Sequence, residues 1–144
     1  MSYDSIKLDK LEQLAQDTSV TNLKIKDIME TSFPMIKESY SVKSCIEILR
    51  VHKISAAPVV SDSETLLGYV SEYDLLIQVS TAPAANRVKF KKDVITLYED
   101  QKIKDALELI IKKKLKLLPV IDKRNRVLGL LTRISLLNAL VQYE

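Results

Sequence analysis

The chain has 144 residues, 47% of them apolar and 28% charged, with a net charge of +3 and a single cysteine. That length suits one compact domain or two halves sharing a core, and the balance excludes a mainly disordered chain. No apolar stretch approaches the roughly 18 residues that a spanning helix requires. The start, Met1 to Ser5, lacks the basic and apolar run of a secretory signal. One cysteine, Cys45, cannot form an internal disulfide, so the expectation is a cytoplasmic protein without a membrane segment.

Taken in chain order, Leu8, Leu11, Leu14 and Ala15 fall at helical spacing and predict an extra N-terminal helix within residues 1–23. The lead-in Ile25-Lys26-Asp27-Ile28-Met29 follows. From Phe33 onward the chain repeats itself. A shift of 61 residues aligns Phe33–Ser80 with Val94–Val141 without a gap, and although only 10 of the 48 pairs are identical, their positions are informative. The only two glycines, Gly68 and Gly129, are 61 apart, as are Pro58 and Pro119. These residue types constrain the backbone most, so their matched placement implies matched local structure.

Val42, Cys45, Ile46 and Leu49 repeat at i, i+3, i+4, i+7, as do Ile103, Ala106, Leu107 and Ile110, which predicts a helix in each copy. Pro58-Val59-Val60 and Pro119-Val120-Ile121 read as buried strands, each followed by a polar turn. Leu66 to Val70 and Val127 to Leu131 read as second strands running into second helices. Ser80 to Ala85, with Pro83, reads as the connecting loop. Each copy is thus strand-helix-strand-strand-helix, an α+β arrangement. Because neither copy buries a good core alone, the two are expected to pack face to face. The predicted organisation is 1–23 lead-in, 24–80 first repeat, 81–144 linker and second repeat.

Pro-Val-Val, a turn, then Gly-x-x-Ser/Thr leading into a helix resembles the CBS-domain family, whose tandem pairs are called Bateman modules. Ile25 to Met29 is similar to the family's usual opening, whereas Arg87-Val88-Lys89-Phe90 matches poorly and suggests a degenerate opening for the second copy. The resemblance implies a regulatory module with pockets for adenosine compounds assembled across the two repeats. Gly68-Tyr69-Val70-Ser71-Glu72-Tyr73-Asp74 matches the family's signature at the strand-to-helix junction. There the Asp accepts hydrogen bonds from both ribose hydroxyls, a task its two oxygens suit, and the Ser favours phosphate beside the helix N-terminus. Carried over, Asp74, Ser71 and Tyr69 face Lys92, Val94 and Ile95 and the loop Lys116, Leu117, Leu118 and Pro119. Val94, Ile95 and Leu117 would hold the base, while Lys116 and Lys92 would offer charge to phosphates. The reciprocal site combines Thr132, Arg133 and Ser135 with Phe33, Pro34, Ser55, Ala56 and Ala57. It has Ser135 where the ribose aspartate belongs, so it is degenerate or differently selective. Ser71 and Asp74 also read as a simple helix cap with an acidic first turn.

Catalysis finds no support. Cys45 lies on a helix's apolar face with Ala106 as repeat partner, which reads as core filling, and His52 is the sole histidine. No metal-ligand spacing or glycine-rich phosphate loop is present. Residues 1–72 carry 8 Lys/Arg against 11 Asp/Glu and residues 73–144 carry 14 against 8, a field for small anions near the second half rather than a nucleic-acid surface. The expectation is a non-enzymatic sensor without obligatory cofactor. It would bind AMP, ADP, ATP or S-adenosylmethionine, form a homodimer, and act on a regulated protein elsewhere. A ligand-free dimerisation or scaffold module is the alternative.

Overall fold

The computed structural model describes residues 23–142; the helix expected near Leu8–Ala15 lies outside them. The first copy comprises α1 (Ile25–Ile28), β1 (Ile36–Lys37), α2 (Val42–His52), β2 (Ala56–Val60), β3 (Leu66–Ser71) and α3 (Glu72–Thr81). The second comprises β4 (Leu97–Tyr98), α4 (Ile103–Lys113), β5 (Leu117–Ile121), β6 (Val127–Thr132) and α5 (Arg133–Gln142). From β1 onward every element recurs 61 residues later with the same length. The repeat extends to the backbone: among the described residues, the four non-glycine residues with positive φ are the pairs Lys53 and Lys114 (both 54°) and Glu64 and Asn125 (65° and 63°). The first pair ends α2 and α4 in the left-handed conformation that closes many helices. The second pair turns the chain between strands.

Each copy contributes a three-stranded sheet, ordered β1-β2-β3 and β4-β5-β6. In the first, β2 runs parallel to β1 (Ile36 opposite Val59) and antiparallel to β3 (Ala57 opposite Val70, Val59 opposite Gly68). As the central strand, β2 is buried along its whole length, which is why its residues are apolar without alternation. Proline is normally kept out of central strands. Pro58 is accommodated because Tyr69, opposite it, directs its own N–H and C=O away from β2, to the backbone of Lys91 at 2.9 and 3.0 Å.

The chain forms two compact units. One contains residues 32–95 and 123–127; the other contains 96–122, 128–142 and the lead-in before residue 32. In the first unit, Ile36, Val42, Cys45, Leu49, Ala57, Val59, Val70, Leu75 and Val88 form a common core. In the second, Leu97, Ile103, Ala106, Leu118, Val120 and Leu131 are buried, together with Ile25 of the lead-in.

The segment preceding each copy is therefore built onto the other. Glu30 pairs antiparallel with Leu130 through two hydrogen bonds of 2.8 Å, and Lys91 pairs in the same way with Tyr69. The opening of the second copy, expected to be degenerate, lacks the helical turn of α1 yet keeps this bridge. Val88 is buried there, and Gln78 holds the Lys89 backbone with a fork, Nε2 donating to O at 2.8 Å and Oε1 accepting from N at 2.7 Å. The connector also begins later than expected. Thr81 is still helical, with the Ser80 and Thr81 hydroxyls donating to the Ile77 carbonyl at 2.8 and 3.0 Å.

Candidate functional site

Both glycines lie just before the strand-to-helix junctions at β3–α3 and β6–α5. Neither glycine has positive φ; their role is close approach. A Cβ on Gly68 would collide with the carbonyl of Lys91 and lie 2.6 Å from the Phe90 ring. One on Gly129 would lie 2.7 Å from Met29 Sδ and 2.9 Å from the Glu30 carbonyl. The absent side chains let residues 30 and 91 run directly beside the junctions.

In the first unit, Ser71 caps α3. Its Oγ accepts from the Asp74 N–H at 3.2 Å, while Asp74 Oδ2 accepts from Ser71 N at 3.0 Å and from Ser71 Oγ at 2.9 Å. The helix-cap reading is thus correct, and it occupies only one oxygen of the carboxylate. The other, Oδ1, faces Lys91 Nζ at 3.6 Å. Asp74 is 14% exposed and Lys91 56%, and the ammonium also lies 5.8 Å from the centre of the Tyr69 ring. Asp74, Ser71 and Tyr69 therefore share one surface with Lys91. Lys92 is exposed and Val94 and Ile95 are half-buried in the irregular segment that follows Lys91, within the same unit. Lys116, Leu117, Leu118 and Pro119 belong to the other unit; Lys116 is exposed, Leu117 half-buried, and Leu118 and Pro119 are in the interior.

The second unit repeats the junction with other chemistry. Ser135 N–H donates to Thr132 Oγ1 at 3.2 Å, and Ser135 Oγ lies 2.9 Å from Thr132 Oγ1. Ser135 Oγ donates to Glu30 Oε1 at 2.9 Å. With the one Ser135 proton directed to Glu30, the Thr132 hydroxyl is the donor of that pair. Arg133 is engaged locally: Nε and one terminal nitrogen donate to the carbonyls of Leu115 and Lys114 at 3.0 and 3.1 Å, closing the end of α4. Of the residues expected opposite, Phe33, Pro34, Ser55, Ala56 and Ala57 lie in the first unit. There Ser55 accepts from the Glu72 N–H at 2.9 Å, while Ala56 and Ala57 are buried.

Sequence reasoning missed Lys91 and Glu30, both in direct contact with the signature positions. The signal was present, since the two residues are 61 apart, but the alignment of the copies stopped at Phe33 and Val94.

Cys45 is fully buried, and that burial raises its thiol pKa from 9.0 to about 11, against a smaller opposing effect of a backbone hydrogen bond. His52 is exposed at the end of α2. Among the described residues no cluster of His, Cys, Asp and Glu is arranged to hold a metal, and no helix is long and apolar enough to cross a membrane.

The sequence is 34% identical over 113 residues to a homoserine O-acetyltransferase of Methanocorpusculum labreanum, covering 78% of this chain and 23% of that protein. It is 27% identical over 135 residues to the carnitine transport ATP-binding protein OpuCA of Listeria monocytogenes, covering 94% of this chain and 33% of the relative. The chain thus spans about a quarter to a third of the length of these curated relatives. Among solved structures, CBSX2 of Arabidopsis thaliana in complex with AMP is 27% identical, with a TM-score of 0.77 over 84% of this chain and 98% of that one. The CBS-domain model matches residues 25–80 and again residues 87–142. With two matches that together take in most of the sequence, on a fold whose copies repeat element for element, the chain belongs to the CBS-domain family as a tandem pair.

Proposed function

We propose that this chain is a non-catalytic regulatory module that binds an adenine nucleotide or adenosyl compound at the Asp74 junction and signals its occupancy to a partner protein. The observation that carries the reading is the Asp74 carboxylate. One oxygen is fixed by Ser71 and the other is turned to an exposed lysine at the mouth of the site. A carboxylate locked in orientation through one oxygen, with the other held only by a flexible lysine, is preorganised to accept hydrogen bonds from a vicinal diol. The helix N-terminus and Lys91 favour a phosphate nearby. The AMP complex of the similar CBSX2 supports the ligand class. Lys92, Val94 and Ile95 are proposed as the adjoining contacts, with the Lys116–Pro119 loop assigned by family resemblance. The relatives in which such a sequence accompanies an acyltransferase or a transport ATPase support a regulatory role for the module. Titration calorimetry of ligand-stripped protein with AMP tests the reading, and absence of binding at millimolar AMP would refute it.

A second, compatible role is dimerisation, favoured by the apolar surface. Tyr73 and Leu76 on α3 are 65% and 64% exposed, and their repeat partners Ile134 and Leu137 on α5 are 57% and 55% exposed. In the first unit this surface borders a cavity of about 340 Å³ lined by residues including Ile46, Leu49, Ile54, Leu75 and Val79. Large side chains exposed at the same repeat positions in both copies suit contact with a second copy.

A further inference from the structure

The same position of the repeat carries opposite charges in the two copies. Lys91 and Glu30 occupy equivalent places, each pairing by backbone with the residue after the junction glycine, Tyr69 or Leu130. Each also reaches the residue at the signature's acidic position: Lys91 Nζ is 3.6 Å from Asp74 Oδ1, and Glu30 Oε1 is 2.9 Å from Ser135 Oγ. The second copy has therefore not lost its carboxylate. Its carboxylate stands on the preceding segment instead of on the helix, at the position that Lys91 holds in the first copy.

We infer that residues 91 and 30 are the charge selectors of the two junctions, an inference that rests on the adenosyl-binding reading above. Lys91 makes the Asp74 junction prefer phosphorylated nucleosides, whereas Glu30 makes the Ser135 junction prefer uncharged or cationic adenosyl compounds. At the first junction, Asp74 Oδ2 is already committed to Ser71 N and Oγ, and Oδ1 faces Lys91. A diol that takes both oxygens must draw on the side held by Lys91. A nucleoside displaces the ammonium and gives it nothing in return, while a nucleotide brings a phosphate to which the long, flexible lysine can move. The net exchange is one ion pair for another, so affinity follows phosphate charge. At the second junction, Glu30 accepts a hydrogen bond from Ser135 through Oε1 and offers its second oxygen to a ribose hydroxyl. It also stands where a phosphate would meet like charge rather than Lys91. A neutral nucleoside, or an adenosyl sulfonium with its positive charge, meets no such repulsion.

The test is calorimetry at fixed low salt with AMP and adenosine as probes, on the full chain and on the variants Lys91→Gln, Glu30→Lys and Asp74→Asn. In Lys91→Gln, AMP affinity is expected to fall about tenfold while adenosine affinity holds or rises, so the AMP-to-adenosine ratio collapses. Glu30→Lys is expected to add a second AMP site or to tighten AMP about tenfold. Both residues are exposed, and thermal unfolding confirms folded protein in each case. As an independent measurement on the unaltered protein, AMP affinity is expected to fall with salt more steeply than adenosine affinity. AMP binding that is lost in Asp74→Asn but keeps the same AMP-to-adenosine ratio in Lys91→Gln and Glu30→Lys overturns the selector alone. Failure of the unaltered protein to bind either probe overturns the adenosyl reading and the selector together.

Discussion

Gly68 lies so close beneath the Lys91 carbonyl that no side chain fits between them. The neighbour at Gly68 is backbone, held by two hydrogen bonds to Tyr69, and cannot swing aside. At Gly129 the nearest atom is the flexible Met29 thioether, although the Glu30 carbonyl is also close, at 2.9 Å. Gly68→Ala is therefore expected to destabilise by at least about 1–3 kcal/mol, the usual cost of overpacking, and Gly129→Ala by less. Urea denaturation of the two variants checks the order; equal effects would contradict the assigned role of the bridge.

Asp74→Asn replaces one acceptor oxygen with a donor and leaves the shape unchanged. AMP affinity is expected to weaken by about 1–3 kcal/mol, the range for hydrogen bonds to a charged group. Because Asp74 also accepts from Ser71 N–H, the melting temperature falls as well. Calorimetry and thermal unfolding must be measured on the same samples. A lower melting temperature with unchanged AMP affinity would reduce Asp74 to a helix cap.

Ser135→Asp would bring the signature's acidic residue to the second junction. Glu30 Oε1 already lies 2.9 Å from Ser135 Oγ, so a second carboxylate would press against the first. The single variant is expected to be less stable than wild type. Pairing it with Glu30→Lys rebuilds the arrangement of the first unit and should recover the loss, with a coupling energy of about 0.5–3 kcal/mol in a double-mutant cycle. Additive effects would show that the two side chains do not meet.

Cys45 supplies a pH signature. Its thiol stays protonated in the folded chain up to about pH 11, against 9.0 ordinarily. The folded state thus holds the proton that the unfolded state releases first. The stability attached to this difference is complete below pH 9.0, declines as pH rises, and is gone above about 11. Comparison of wild type with Cys45→Ala by chemical denaturation between pH 8 and pH 11 isolates the contribution. Thiol labelling of native protein at neutral pH is expected to proceed only as fast as the core opens.

The exposed apolar positions on α3 and α5 offer a test of the proposed dimerisation. Leu76→Lys combined with Leu137→Lys is expected to yield a monomer with unchanged secondary structure, as read by light scattering and circular dichroism. A variant with the oligomeric state of wild type would remove these helices from any interface between copies.

The repeat was legible because its punctuation survives where its identities do not. Gly68 and Gly129, Pro58 and Pro119, and the helical spacing around Cys45 and Ala106 gave the order of elements and most of the core. The sequence did not reveal where the lead-ins dock. Val88 and Phe90 match Asp27 and Met29 poorly as letters, although Phe90 and Met29 each lie beside the glycine of a junction. Nor did it reveal that Lys91 meets Asp74 and Glu30 meets Ser135: the two residues share the 61-residue offset, but they differ in charge and lie ahead of the stretch in which the copies align. The helix-cap and ligand readings of Ser71 and Asp74 are compatible, since the carboxylate has two oxygens and the cap takes one.

The exchange of lead-in segments bears on how the chain folds as it is synthesised. Most of the unit that contains residues 32–95 closes over short separations, such as the 11 residues between Gln78 and Lys89, with only its segment 123–127 supplied from later in the chain. The other unit waits, since Glu30 meets Ser135 only after 105 further residues have been made. The lead-in is thus made before either repeat yet is among the last segments to be locked, and loop closure over such a span slows its docking. A chain cut between the repeats would leave each half without the strand segment its glycine was shaped to receive.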